Sequence, residues 1–452
     1  MTLKSINPYT NKLIAEFEEF SVEQIEKILS NSAEAFETWR RTEINHRKEL
    51  IGKAANMLRS NISEYAGAIT AEMGKPIKES KAEVEKCAWV CEYYAMNTEK
   101  FLKDESLESD ADISYVSYEP LGTILGIMPW NYPFWQVFRF AVPTIMAGNT
   151  VLLKHASNVQ ISARHIENIF SGAGFPQHVF RNLVVGAGGV EKIIRHDTIK
   201  AISLTGSEPA GQKVASVAGD TLKKCVLELG GSNAFIVLED ADIGKAVETA
   251  IKARFQNGGQ SCIAGKRFII EKNISDSFIR LFAESIRKLK TGDPSDEETD
   301  IGPLCSKRQA ESIDDQVKRS VAMGARIIEG GSLKEAFYNP TLAVDVRPGM
   351  PLFDEEVFGP VAPVIIADNA CEAITLANKT NFGLGVTLFT TDIKKAVELV
   401  SEFHDGAVFI NGQVKSDPRL PFGGTKRSGY GRELAQQGMR EFVNVKTVWI
   451  RK

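Results

Sequence analysis

The sequence predicts an α/β fold, and two patterns and one number carry that prediction. From residue 123 onward, short apolar runs alternate with helix-length segments, the mark of repeated strand–helix–strand units and a parallel sheet. A second stretch of similar texture runs from about residue 233 to residue 407. The length of 452 residues leaves room for about three structural units at roughly 150 residues each, which excludes a miniprotein or a lone binding module. Hydrophobic residues at 43% and charged residues at 25% place the chain far from disorder. Lysine and arginine total 54 against 58 acidic residues; the net charge of -4 provides no general field for nucleic acid.

The first residues contain no apolar leader core, and no run of about 18 apolar residues occurs. That predicts a cytosolic protein with no membrane partner. Ser21 and Gln24 form a capping-box pattern ahead of Ile25, Leu29, Phe36 and Trp39 at near-helical spacing, so a helix begins there. Helical texture rich in Ala, Glu and Lys continues to about Lys103. The acidic stretch Asp104 to Asp112 then reads as a solvated turn into a strand, Ile113 to Tyr118.

Strands follow at Thr123 to Met128, Thr150 to Leu153, Asn182 to Val185, Ala201 to Leu204 and Cys225 to Leu229, with helices after Pro133 and from Glu208 between them. In the second stretch the apolar runs are Phe235 to Leu238, Phe268 to Ile270, Val361 to Ile366 and Val386 to Phe389. The tail, Glu441 to Ile450, alternates apolar and polar residues, as expected of an edge strand that pairs with another subunit.

Six cysteines are too sparse for a disulfide framework, and their spacing predicts no metal site. Cys87 and Cys91, at i and i+4, read as packing residues. Ligands of open α/β sheets bind beyond the carboxyl ends of the strands, which directs attention to the residues just after each run. Gly186 to Glu191 resembles a dinucleotide fingerprint, but Glu191 stands where glycine is required, and a plain turn accounts for it better. Thr205-Gly206-Ser207, followed by Pro209 and Gly211, offers a helix N-terminus suited to a pyrophosphate, though capping by Ser207 explains the pattern equally well.

Three further segments carry chemistry. Cys262 follows Gly258 and Gly259, which allow the tight turn a nucleophile needs, yet a lone cysteine is also a small buried apolar residue. Glu228 ends an apolar strand before Gly230 and Gly231, where a carboxylate is costly unless paired or used as a base. Asn131 lies at a strand end, able to donate to an oxyanion or to cap the helix that places Trp135 and Arg139 on one face.

Together these segments resemble the aldehyde dehydrogenase superfamily over essentially the whole chain. The matching stretches, in the family's order, are PWNYPFWQ (129–136), GNTVLLKHAS (148–157), LTGS (204–207), LELGGSN (227–233), GQSC (259–262), EEVFGPV (355–361) and PFGGTKRSGYGREL (421–434). The resemblance implies an aldehyde dehydrogenase-like fold: a Rossmann-type cofactor domain (1–103 and 121–230), an α/β catalytic domain (231–432) and a small β oligomerisation element (104–120 and 433–452) serving a homodimer or homotetramer. It puts the nucleophile at Cys262, the general base at Glu228 and the oxyanion amide at Asn131. It likewise assigns cofactor contacts to Trp130, Lys154, Gly206, Ser207, Gly211, Glu356 and Phe358. Relatives that pass the acyl group to coenzyme A generally lack the glutamate, so Glu228 implies hydrolysis. NAD-preferring members typically carry glutamate three residues after the lysine, where this chain has Ser157; that implies NADP, with NAD possible. Cys262 is followed by Ile263 and Ala264, so the second cysteine that forms an inhibitory disulfide in some relatives is missing.

The stretches KHASN and Ser416-Asp-Pro-Arg419 look most like the short succinate-semialdehyde dehydrogenases. The implied substrate is a small aldehyde with a distal carboxylate, recognised by Trp135, Arg139, Ser416 and Arg419. Arg139 and Arg419 are each equally readable as members of structural ion pairs. Glutarate semialdehyde, a broad range of aldehydes, and a non-catalytic role on the same scaffold are the competing readings.

Overall fold

The structure is a computed structural model, and it describes residues 2–452. Two large sheets organise it. The first is six-stranded and runs, from edge to edge, Gly429–Tyr430, Lys224–Glu228, Ile199–Thr205, Thr123–Met128, Thr150–His155 and Phe180–Asn182. Its five longer-range members are parallel, and only Gly429–Tyr430 is antiparallel. The strands are buried on both faces, as their near-continuous apolar runs require. Chain order proceeds outward from Thr123–Met128 in one direction, then returns to its other side at Ile199–Thr205. That reversal is a switch point, and the crevice beyond the carboxyl ends of those two strands is where such sheets bind ligands.

The second sheet has seven strands: Arg326–Glu329, Thr341–Val344, Val361–Ala367, Gly265–Glu271, Asn233–Val237, Val386–Phe389 and Val408–Ile410, all parallel except the first. The chain crosses between the sheets over Leu229–Ser232, so the amino ends of the second sheet's central strands meet the carboxyl ends of the first. A third sheet joins Val443–Ile450 to Ile113–Pro120 and Glu105–Ser106. No helix among the described residues is long and apolar enough to cross a membrane.

Local chemistry explains the helices. Ser21 and Gln24 close a full capping box on the helix Val22–Trp39, as the sequence predicts. Cys87 and Cys91 are fully buried in the helix Ile77–Phe101. Gly186 to Glu191 is a tight turn running into the short helix Val190–Arg195.

Three expectations shift, and one element is new. The strand expected at 182–185 is Phe180–Asn182, because Val184 turns away to accept from the Phe20 amide. The helix after Pro133 begins at Trp135, and Asn131 does not cap it. Gly429–Tyr430, expected within the catalytic unit, pairs with Lys224–Glu228 of the first sheet. Thr2–Asn7 and Lys12–Glu18 form an antiparallel hairpin with no counterpart in the sequence reading.

Candidate active site

Cys262 is set by the loop before the strand Gly265–Glu271. Asn257, Gly258 and Gly259 have φ of 56°, 59° and 73°, three successive left-handed residues that reverse the chain within one turn. A Cβ on Gly259 would stand 2.4 Å from the Gly359 carbonyl oxygen, so only glycine lets this loop seat against the 356–359 segment. The buried Arg254 ties the two together, donating to the carbonyls of Gly265 (3.1 Å), Val357 (3.1 Å) and Gly359. Burial pushes the Cys262 thiol up to about 11, against the pull of Lys266 and Arg139, so it is protonated at neutral pH.

Asn131, just past the strand Thr123–Met128, donates through Nδ2 to the Gln260 carbonyl (3.0 Å) and accepts at Oδ1 from Gln136 (3.2 Å). Its own carbonyl accepts from Asn257 Nδ2 at 2.8 Å. The amide is therefore oriented toward the cysteine loop with one N–H left over. Glu228 ends its strand fully buried, with both carboxylate oxygens lacking a hydrogen-bond partner among the described residues. Burial and the neighbouring Glu433 push its carboxyl well above the usual range, with Arg139 opposing. Its Oε1 lies against Gly423, 2.9 Å from where a Cβ there would stand, and Glu228 lines neither of the cavities that reach Cys262.

Two cavities meet at Cys262 and Gln136. One, of about 290 Å³, lies in the switch-point crevice and is lined by Trp130, Asn131, Gly206, Ser207, Glu356 and Phe358 among others. Ser207 occupies the N-cap position of the helix Glu208–Asp220; its carbonyl accepts from the Gly211 amide (3.0 Å), but its side chain makes no capping bond, which leaves the hydroxyl and the first-turn N–H groups free at the crevice. Glu356 is pinned by the fully buried Lys266 (2.5 Å) and the Gly231 amide (3.0 Å). Phe358 meets Trp130 edge to face at 5.9 Å. Lys154 and Ser157 stand at the carboxyl end of the next strand, Thr150–His155; burial lowers the Lys154 ammonium, opposed by Glu19. Gly211 is a correction: its open face meets Leu229, where a Cβ would stand 2.6 Å from that side chain, so it seats the helix on the sheet and does not line the crevice.

The other cavity, about 200 Å³, is bounded by the helices Ile77–Phe101 and Trp135–Met146 and the 413–416 segment; Lys86, Trp135, Arg139, Ser416 and Phe422 line it. Trp135 Nε1 donates to Ser416 Oγ at 2.9 Å. Arg139 is in the wall, but its guanidinium is committed to the buried Glu433, to Thr205 Oγ1 (3.1 Å) and to the Phe422 ring. Arg419 is a second correction. It lies outside this chamber, bidentate on Asp417 and over the Trp89 ring, with its side chain 63% exposed. Two residues here have no counterpart in the sequence reading, Lys86 and Lys266. The only sequence signal for Lys266 is its place four residues after Cys262, at the start of a strand that carries Arg267 and Glu271 as well.

The profile of the aldehyde dehydrogenase family matches residues 1–448. The chain is 48% identical over 453 residues to a probable succinate-semialdehyde dehydrogenase [NADP(+)] of Synechocystis sp., covering all of both chains. It is 45% identical over 457 residues to the succinate-semialdehyde dehydrogenase [NADP(+)] of Mycobacterium avium, covering 100% of this chain and 97% of that one. The crystal structure of succinic semialdehyde dehydrogenase from Streptococcus pyogenes with NADP+ superposes with a TM-score of 0.97 at 35% identity, with both chains fully covered. The GapN glyceraldehyde-3-phosphate dehydrogenase of Methanocaldococcus jannaschii, complexed with NADP, gives 0.95 at 32% identity, covering all of this chain and 99% of that one. The chain belongs to the aldehyde dehydrogenase family.

Proposed function

We propose that this protein oxidises succinate semialdehyde to succinate with NADP+, through a thioester on Cys262. The observation that carries the reading is that one thiol is reached from two sides, by a crevice at the sheet's switch point and by a small chamber with a polar far end. The relatives named above support the substrate and the cofactor.

In this reading the Cys262 thiol gives its proton to solvent in the crevice, the resulting thiolate adds to the aldehyde carbon, and the oxyanion is held by the spare N–H of Asn131 and the Cys262 backbone amide. The crevice fits the cofactor: Ser207 and the helix N-terminus suit a pyrophosphate, while Trp130, Glu356 and Phe358 bound the space beside the thiol. NADP+ supplies, when bound, the two-electron acceptor that converts the thiohemiacetal to a thioester. Glu228 is the carboxylate that takes a proton from the hydrolytic water. Lys154 faces the adenosine side, and Ser157 leaves room for a 2′-phosphate that a carboxylate there would repel. Residues 1–103 and 121–230 serve as the cofactor unit, to whose sheet Gly429–Tyr430 adds an edge, and the rest of 231–432 serves as the catalytic unit. Residues 104–120 and 433–452 join subunits.

The test is a panel of succinate semialdehyde, glutarate semialdehyde and butanal, each assayed with NADP+ and NAD+ on wild type and Ser157→Glu. We expect the highest kcat/KM for succinate semialdehyde with NADP+, and a cofactor preference that moves toward NAD+ by at least tenfold in Ser157→Glu. A strongly NAD+-selective wild type overturns the assignment of Ser157. Equal kcat/KM on butanal overturns the substrate.

A further inference from the structure

Lys86 sits on the helix Ile77–Phe101 where that helix borders the substrate chamber. Its ammonium donates to Ser416 Oγ at 3.0 Å and lies 4.0 Å from the centroid of the Trp135 ring. Trp135 Nε1 donates to the same oxygen. A serine hydroxyl has two acceptor lone pairs and one O–H. Both lone pairs are taken, which leaves the O–H to donate, and it has no acceptor among the described residues.

The ammonium is in the same condition. Of the carboxylates that influence it, Glu83 is paired with the buried Lys75 and accepts from the Phe134 and Trp135 amides (both 2.9 Å). Asp417 is bidentate on Arg419. Lys86 is thus a half-buried cation that lines the chamber without a counter-ion of its own, an arrangement that an arriving anion would stabilise. Burial, with Arg139 nearby, lowers its pKa to about 8, so it remains mostly charged at neutral pH. Arg139 differs in that its charge is already matched by Glu433. The far end of the chamber therefore presents unclaimed donors on Lys86 and Ser416 around one position.

We propose that Lys86 is the specificity-determining cation of this site, binding the remote carboxylate of the substrate jointly with the Ser416 hydroxyl while the aldehyde lies at Cys262. Arg139 then acts as a positioning residue that shapes the wall through Glu433. The inference rests on the semialdehyde reading and deepens it by naming the group that selects the acid.

The test is the ratio of kcat/KM for succinate semialdehyde to that for butanal, an uncharged aldehyde of the same carbon number, at pH 7. In Lys86→Met we expect the ratio to fall at least tenfold, mainly through KM for the semialdehyde. Lys86→Arg, which keeps the charge, should hold the ratio within about threefold. Butanal turnover also reports whether each variant is folded, and Lys86→Gln provides the same measurement should the methionine variant not accumulate. A ratio within twofold of wild type in the neutral variants overturns the assignment of Lys86. A wild type with no preference for the semialdehyde overturns the functional reading, and this assignment with it.

Discussion

Glu228 and Cys262 face the same demand from one environment. Glu228 is fully buried and Cys262 partly so, and burial disfavours the charged form of each: the thiol is pushed up to about 11 and the carboxyl well above its usual range. A nucleophile needs its thiolate and a base needs its carboxylate, so each reactive form becomes more populated as pH rises through the raised pKa. Acylation and hydrolysis should both fall on the acid side. Glu228→Gln separates them, because it removes the base and leaves the thiol. Rapid mixing of Glu228→Gln with substrate and NADP+ should give a burst of about one equivalent of reduced cofactor. Steady turnover should then be slower than wild type by about 100- to 10,000-fold, the usual contribution of a positioned acid–base group. Undiminished steady turnover in that variant would show that the hydrolytic water is activated elsewhere.

At the scale of elements, the site is built where loops of the second sheet abut strand ends of the first, and the loop 257–262 depends on Gly259. An alanine there takes on a left-handed backbone, costing roughly 1–2 kcal/mol, and drives its Cβ to 2.4 Å from the Gly359 oxygen. We expect Gly259→Ala to lower stability by at least that much in urea unfolding and to cut activity beyond what the unfolded fraction explains, since Cys262 moves with the loop. Activity that tracks only the folded fraction would mean that the loop tolerates the shift.

What the sequence disclosed and what it concealed divide along similar lines. Cys262, Glu228 and Asn131 were only half legible one at a time, since a glycine turn, an apolar strand end and a strand-to-helix junction fit packing or capping as well as chemistry; their proposed roles come from the resemblance of seven ordered stretches. Lys86 was hidden because it sits in a helix dense with Lys and Glu, where any one charge looks solvated; the partner that marks it out is Ser416, 330 positions away. Arg419 misled for the converse reason: it lies beside Ser416 in sequence, but Asp417, two residues before it, holds it outside. The N-terminal hairpin escaped notice because one of its inward side chains is Ser5, bonded to the buried Glu72, so the strand lacks an apolar stripe.

For the whole molecule, the third sheet presents a surface the monomer does not explain. The strand Val443–Ile450 pairs with Ile113–Pro120 along one edge in an eight-residue register, and its other edge has no strand partner among the described residues. Val445, Trp449 and Ile450 on that strand and Ile113 on its neighbour are exposed apolar side chains, with Val445 at 59%. A long open edge carrying large apolar groups invites pairing, and natural proteins usually blunt such an edge or cover it. A second copy meets the requirement by symmetric contact, and a stable interface removes about 800 Å² of surface from each partner. The double variant Val445→Asp/Trp449→Asp puts carboxylates at two positions of that edge, where a symmetric contact brings each close to its copies. Light scattering coupled to gel filtration should show wild type at twice or four times 49.7 kDa and the variant at a smaller multiple. The active site draws no residue from this edge, so the variant should retain kcat/KM to within about threefold. A wild type eluting at the mass of one chain would remove the edge strand from any role in assembly.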